Sequence, residues 1–306
     1  MANMKIDTAQ RLLNFQTTIT TPGVTQISYI DIGQALSMVN RRFYRQGMQY
    51  MLANIRIQTF SATPAGISIK KLPETWVVGA SWEKTMLHWR KQQDEALANS
   101  GSEETKGRYN DYKIFFNQAH YDIGITNNLK PLDAASVAYR DGEWLYSEIV
   151  IPNDGGVVGN TVEYAVKALG DDSSSVKGMI YGYGKSRNKP RNPDPQGGNV
   201  GDSWLSEMFD VGENSEEVTD NAQFRNDHSP YDMDVYPGEG GNGINGELFR
   251  TLFFTGTTLS QTQNTGGLLV PCGLLEISYD QDVRITLELV PGPYKGVLAE
   301  SVAEMN

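Results

Sequence analysis

The sequence predicts an all-β protein with helical insertions, an antiparallel β-sandwich for which the single jelly roll is the leading candidate. Three observations predict it. Runs of period-two alternation recur along the chain, the best of them at residues 283–290, where Val283, Ile285, Leu287 and Leu289 share one side and Arg284, Thr286 and Glu288 the other. No strand–helix–strand rhythm of the kind that builds parallel sheets separates these runs. Turn formers are plentiful, with Gly 31 and Pro 13 in 306 residues. With 21% charged and 39% hydrophobic residues the chain is globular in composition and long enough for a substantial core. One domain over residues 1–306 is expected.

Residues 1–22 form a polar, Thr-rich lead-in without clear periodicity, and residues 24–30 alternate around Ile27 and Tyr29. Asp31 and Gln34 then make a capping-box pattern, with Asp31 accepting from first-turn amides and Gln34 reaching back. The helix they open carries the apolar stripe Ile32, Ala35, Leu36, Val39 and Phe43, with Gly47 as its stop. Arg42 and Arg45 fall off that stripe one turn apart, with Arg41 beside them. From 48 to 60 the period returns to two, with Ala53, Ile55 and Ile57 on one face. A turn at Pro64, Ala65 and Gly66 leads to a second alternating run at 67–72, and the two runs are expected to pair antiparallel.

Residues 81–98 are the clearest helix, with Ser81 as N-cap and Trp82, Met86, Trp89 and Leu97 at helical spacing, a stripe that suits core packing. Further strands are expected at 111–116, 145–151, 162–169, 176–183, 248–255, 274–279 and 283–290. Between 184 and 247 the composition shifts to Asn, Asp, Gly and Pro, with two short helical stretches near 204–209 and 216–224. An insertion of that length is expected at the surface or at a subunit contact.

Charge is unevenly spread. The formal net charge of −11 argues against a generic polyanion-binding module. Yet residues 1–60 carry Lys5, Arg11, Arg41, Arg42, Arg45 and Arg56 against only Asp7 and Asp31, while from 202 to 247 twelve carboxylates face only Arg225. No signal peptide or membrane-spanning apolar run is apparent, so a soluble chain without membrane insertion is expected.

The sequence predicts no enzyme. G-x-S-x-G, P-loop and dinucleotide-fold glycine patterns are absent, and His88, His120 and His228 lack metal-ligand spacing. Cys272, the single cysteine, reads as a small core residue, and no disulfide is available within the chain. The carboxylate pairs Glu103/Glu104, Asp171/Asp172 and Glu216/Glu217 read as solvated charge. No cofactor is expected apart from structural calcium, for which Asp280 with Asp282, and Asp194 with Asp202, supply oxygen ligands without EF-hand spacing.

Arg41, Arg42, Phe43, Tyr44 and Arg45 mix guanidinium groups with aromatics, a composition suited to phosphate contact and base stacking. Arg41, Arg42 and Arg45 are the candidate phosphate contacts and Tyr44 the candidate stacking residue. A solvated helix end, where basic residues favour the C-terminal dipole, has the same composition. A second basic cluster, Lys185, Arg187, Lys189 and Arg191, reads as a loop contact or as a salt-bridge partner for the acidic insertion.

Residues 27–47, ISYIDIGQALSMVNRRFYRQG, with KLPETWV at 71–77 and SWEK at 81–84, resemble capsid proteins of small circular Rep-encoding single-stranded DNA viruses known mainly from environmental samples. The similarity covers about the first third, with weaker echoes at 111–116 and 179–187. The resemblance implies a single jelly roll, self-assembly into an icosahedral shell inside the host cell, and packaging of circular DNA in the virion. Partners would be other copies of the chain, the packaged DNA and a host receptor that the sequence does not identify. Many such proteins begin with a long basic arm, whereas only Lys5 and Arg11 lie in the first forty residues here, which moves any DNA contact onto Arg41, Arg42 and Arg45. Two other readings of the residues stay open. One is a phage appendage or host-binding β-sandwich module. The other is a jelly-roll carbohydrate-active enzyme using paired Glu with Trp76, Trp144 or Trp204.

Overall fold

The computed structural model describes residues 8–20, 23–60, 63–107, 109–152, 159–186, 204, 246–255 and 260–305. In chain order the elements are β1 (Leu12–Gln16), β2 (Gln26–Asp31), α1 (Ile32–Asn40), β3 (Met48–Thr59), β4 (Ala65–Lys71), α2 (Trp76–Asn99) and α3 (Gln118–Ile123). They continue with β5 (Glu148–Pro152), β6 (Thr161–Lys167), β7 (Val176–Gly178), α4 (Met179–Ser186), β8 (Glu247–Phe254), β9 (Thr262–Asn264), β10 (Leu268–Val270), β11 (Leu274–Tyr279), β12 (Val283–Leu289) and β13 (Ala299–Ser301). Where the sequence suggests one domain, the chain divides into two units. The first comprises Met1–Thr75, Asp122–Leu145 and Asn245–Asn306, and the second Trp76–Tyr121 and Tyr146–Ile244.

The first unit is a mostly β structure of two antiparallel sheets, ordered β1-β12-β3-β10 and β2-β11-β4-β8, with β9 and β13 also pairing β3. The pairing is nested. β1 pairs β12, β2 pairs β11, β3 pairs β9 and β10, and β4 pairs β8, so partners far apart in sequence enclose partners closer together. Leu13, Phe15, Ile55, Ile57, Ile285 and Leu287 of one sheet join Ile67, Ile69, Leu252, Phe254, Leu275 and Ile277 of the other in one buried cluster. Each such side chain contributes about 1.5–3 kcal/mol by leaving water.

Consecutive strands β3 and β4 lie in different sheets and do not pair, contrary to the hairpin expected from their alternation. Alternation states only that a strand has one apolar face, and in a sandwich that face is satisfied equally well across the core. A second departure is the phase of β3. Ala53 is exposed although the alternation groups it with Ile55 and Ile57, because Glu288 pairs Asn54 while Leu289 pairs Leu52 and Ala53 is left over as a bulge. The bulge lets Tyr50 and Leu52 on one side of it, and Ile55 and Ile57 on the other, all face inward. Strand β1, within the stretch that lacks clear periodicity, buries only Leu13 and Phe15, two alternations being too few to stand out.

The open sides of this sandwich are stitched by hydrogen bonds. Leu129 N–H donates to Tyr29 O (2.8 Å) on edge strand β2 and Leu132 N–H to Asn14 O (2.6 Å) on edge strand β1. On the far side Arg250 Nη1 donates to Thr265 O and Gln263 Nε2 to Phe253 O, each at 2.8 Å. The carbonyls of Asn14, Tyr29 and Phe253 on the edge strands are thereby engaged within the chain.

The second unit holds the sheet β5-β6-β7, with β5 and β6 antiparallel and β6 and β7 parallel, together with α2 and α4. Helix α2 begins at Trp76, so Ser81 lies inside it, its hydroxyl donating to Val78 O, rather than capping it. Trp82 and Trp89 are each 7% exposed and pack edge-on or tilted against Tyr112, at centroid distances of 6.2 and 5.4 Å. Residues 111–116, buried except for half-buried Lys113, form no strand beyond a bridge from Phe115 to Lys167. The expected strand at 176–183 ends at Gly178, where α4 begins. No helix among the described residues is long and apolar enough to cross a membrane.

Candidate nucleic-acid interface

Asp31 caps α1 as its sequence position predicts, Oδ1 accepting from Gln34 N–H at 3.0 Å. Its second oxygen accepts from Gln46 Nε2 (3.0 Å) and Trp144 Nε1 (3.1 Å), so the 1%-exposed carboxylate also fixes the chain that follows the helix. Gln34 spends its carbonyl on Asn128 Nδ2 instead of reaching back to the cap.

The helix stops at Asn40, seven residues before the expected Gly47. Arg41 takes the left-handed conformation (φ 52°, ψ 43°) at the C-cap, a position that more often holds Gly. Arg42 and Arg45 are therefore not one helical turn apart. Residues 41–47 form a knuckle instead, with Arg41, Arg42, Phe43 and Arg45 exposed and Tyr44, Gln46 and Gly47 buried. Tyr44 is 0% exposed and cannot stack on a base, which corrects its assignment; Phe43, 64% exposed, is the aromatic the knuckle presents. The stripe position assigned to Phe43 misled because helical spacing has no meaning beyond the last helical residue.

Tyrosines hold the knuckle. Tyr44 N–H donates to Ser37 Oγ (3.0 Å), and Tyr44 hydroxyl donates to Lys295 O (2.7 Å). Arg45 is gripped on both backbone groups: its N–H donates to Tyr294 hydroxyl (3.1 Å) and its carbonyl accepts from Tyr50 hydroxyl (2.6 Å). A Cβ added to Gly33 would sit 3.1 Å from that carbonyl, so α1 needs its glycine where the knuckle crosses it. Lys295, itself at φ 52°, donates from Nζ to Phe43 O and lies 5.7 and 5.4 Å from the ring centroids of Tyr44 and Tyr294.

One cation that the reading of residues 41–45 left out meets the knuckle, Lys295. The end of α1 is also tied to the chain before β1: Gln10 N–H donates to Asn40 Oδ1 (2.8 Å) and Asn40 Nδ2 donates back to Gln10 O (3.1 Å). No local sequence signal links residues 10, 40 and 295.

The remaining candidates are dispersed. Asp280 accepts from Gly66 N–H with both oxygens (2.9 and 3.0 Å) and Asp282 accepts from Ile19 N–H, so each carboxylate serves a loop. No group of three metal-ligating side chains occurs among the described residues, and Asp194 and Asp202 lie outside them. His120, buried, accepts from Phe116 N–H on Nδ1 at 3.0 Å, a hydrogen-bonding role. Cys272 is buried in a turn at φ 54°. Trp204 is 4% exposed and packs against Gly182, while Trp144 donates to Asp31 and Trp76 meets Tyr183 edge-on. Lys185 lies 5.6 Å from the Tyr181 ring, but Arg187, Lys189, Arg191 and almost all of the acidic segment 202–247 fall outside the described residues. No protein-family model, curated protein or solved structure matches this chain.

Proposed function

We propose that this chain is the structural subunit of a closed icosahedral shell, a capsid protein of a small circular single-stranded DNA virus whose first unit is a single jelly roll. The observation that carries this reading is the nested pairing of β1 with β12, β2 with β11, β3 with β9 and β10, and β4 with β8. A jelly roll is a long antiparallel hairpin rolled up so that its successive strand pairs alternate between two sheets, and these pairs do alternate. The resemblance of residues 27–47 and 71–84 supports the viral assignment. With both open sides of the sandwich stitched, copies meet through loops and outward faces. Exposed apolar residues such as Phe253 (68%) and Leu248 (56%) on β8 favour such contacts.

The test is electron microscopy and sedimentation of the purified full chain over a range of pH and salt. Closed particles of uniform size are expected. Monomers under every condition would overturn the shell reading, and discrete appendage-like oligomers would replace it with that of a phage appendage or host-binding module.

A further inference from the structure

The cationic residues at the knuckle come from two separated stretches of chain. Arg41, Arg42 and Arg45 are exposed on residues 41–47, and Lys295 grips the Phe43 carbonyl from the C-terminal part. In their midst Phe43 is 64% exposed. A single exposed aromatic on a surface needs no explanation by itself. Here the backbone beneath it is braced: Arg45 is held at N–H and C=O by two tyrosines, and the turns at Arg41 and Lys295 both use left-handed φ of 52°. Non-glycine residues persist in that region only when their surroundings over-determine them.

We infer that this knuckle is a binding site for single-stranded nucleic acid, in which Phe43 is the platform for an unpaired base and Arg41, Arg42, Arg45 and Lys295 contact the flanking phosphates. The inference deepens the shell reading, on which it rests only for the source of the strand. Guanidinium groups around an open ring match a polymer that alternates phosphate with flat π-faces. An acidic polypeptide supplies charge without a regular alternation of charge and flat rings, and a duplex buries its base faces. Stacking and phosphate contact use groups that DNA and RNA share, so both single strands are expected to bind.

The experiment is fluorescence anisotropy of labelled oligo-dT, oligo-U and a duplex of equal length, titrated with the full chain. Phe43→Leu is expected to weaken both single strands about 10-fold, the loss of one stacked base, and to leave the duplex unchanged. Arg41→Gln, Arg42→Gln and Arg45→Gln together are expected to weaken binding of all three probes and to lower the single-strand salt slope by about two. Circular dichroism and melting of each variant verify the fold, which an exposed side chain should not disturb. If Phe43→Leu binds oligo-dT as well as the parent, the site is overturned. It is equally overturned if polyglutamate competes as well as oligo-dT, since the knuckle is then a dock for an acidic segment such as residues 202–247 of another copy. Particle formation is scored separately, so oligonucleotide binding without particles removes the shell and keeps the site.

Discussion

Asp31 joins secondary structure to site with a single buried carboxylate. It caps α1, and it receives the Gln46 amide and the Trp144 indole, which lie 15 and 113 residues away. Truncation removes the cap and strands two donors in a dry environment, so Asp31→Ala is expected to cost about 3–5 kcal/mol. Asp31→Asn, which keeps one acceptor, should cost less. Urea unfolding checks the order, and equal losses for both would show that the charge alone matters. In the second unit, burial raises the pKa of Asp172, partly offset by the Gly178 N–H bond and by Lys177 and Lys167. A folded value above the unfolded one, about 3.9, means that the ionised carboxylate lowers stability at neutral pH. That loss is relieved as pH falls through the folded value. Asp172→Asn keeps an acceptor for Gly178, so it should melt higher than the parent at neutral pH and converge with it in acid. A lower melting point at neutral pH would mean that the hydrogen bond and lysines outweigh burial.

At the scale of elements, β3 shows what a one-residue bulge controls. Its two buried pairs, Tyr50 with Leu52 and Ile55 with Ile57, are out of phase by one residue, and Ala53 absorbs the difference. Deleting Ala53 would bring both pairs into one phase and leave a regular ladder, since the bulge is the residue that offsets them. The deletion is expected to keep soluble expression and cooperative unfolding, and Ala53→Thr, on the exposed bulge, should change stability by about 0.5 kcal/mol or less. An insoluble deletion variant would refute that role. Strands whose alternation runs unbroken were legible in the sequence: β4, β11 and β12 lie where the pattern puts them. Their partners were not, because periodicity carries no information about which sheet a strand joins. The knuckle was legible as a composition and illegible as a geometry. Arg41 in a left-handed C-cap has no sequence mark, so Tyr44 and Phe43 exchanged their expected roles, and Lys295 joined through a fold-level contact.

For the whole molecule the decisive quantity is where the net charge resides. From 202 to 247 twelve carboxylates face one arginine, so this segment alone carries the full −11 of the chain and the remaining residues balance. Brought together in a shell, many copies repel one another through that charge wherever the segment sits. The range of the repulsion is set by the Debye length, about 30 Å at 0.01 M salt and about 10 Å at 0.1 M. Assembly is therefore expected to be opposed at low ionic strength and promoted as salt rises, the critical concentration falling severalfold over that interval. Oligonucleotide binding at the knuckle carries the opposite sign, weakening as salt releases less counterion free energy. Light scattering against protein concentration at several salt concentrations measures the first effect without the second, provided nucleic acid has been removed. A variant with six of the twelve carboxylates changed to amides should assemble at low salt and lose most of the dependence. If assembly of the parent instead weakens as salt rises, the acidic segment is held by cations of a neighbouring copy. Attraction between unlike charges, with the knuckle as the first place to look, would then replace repulsion as the account of how subunits associate.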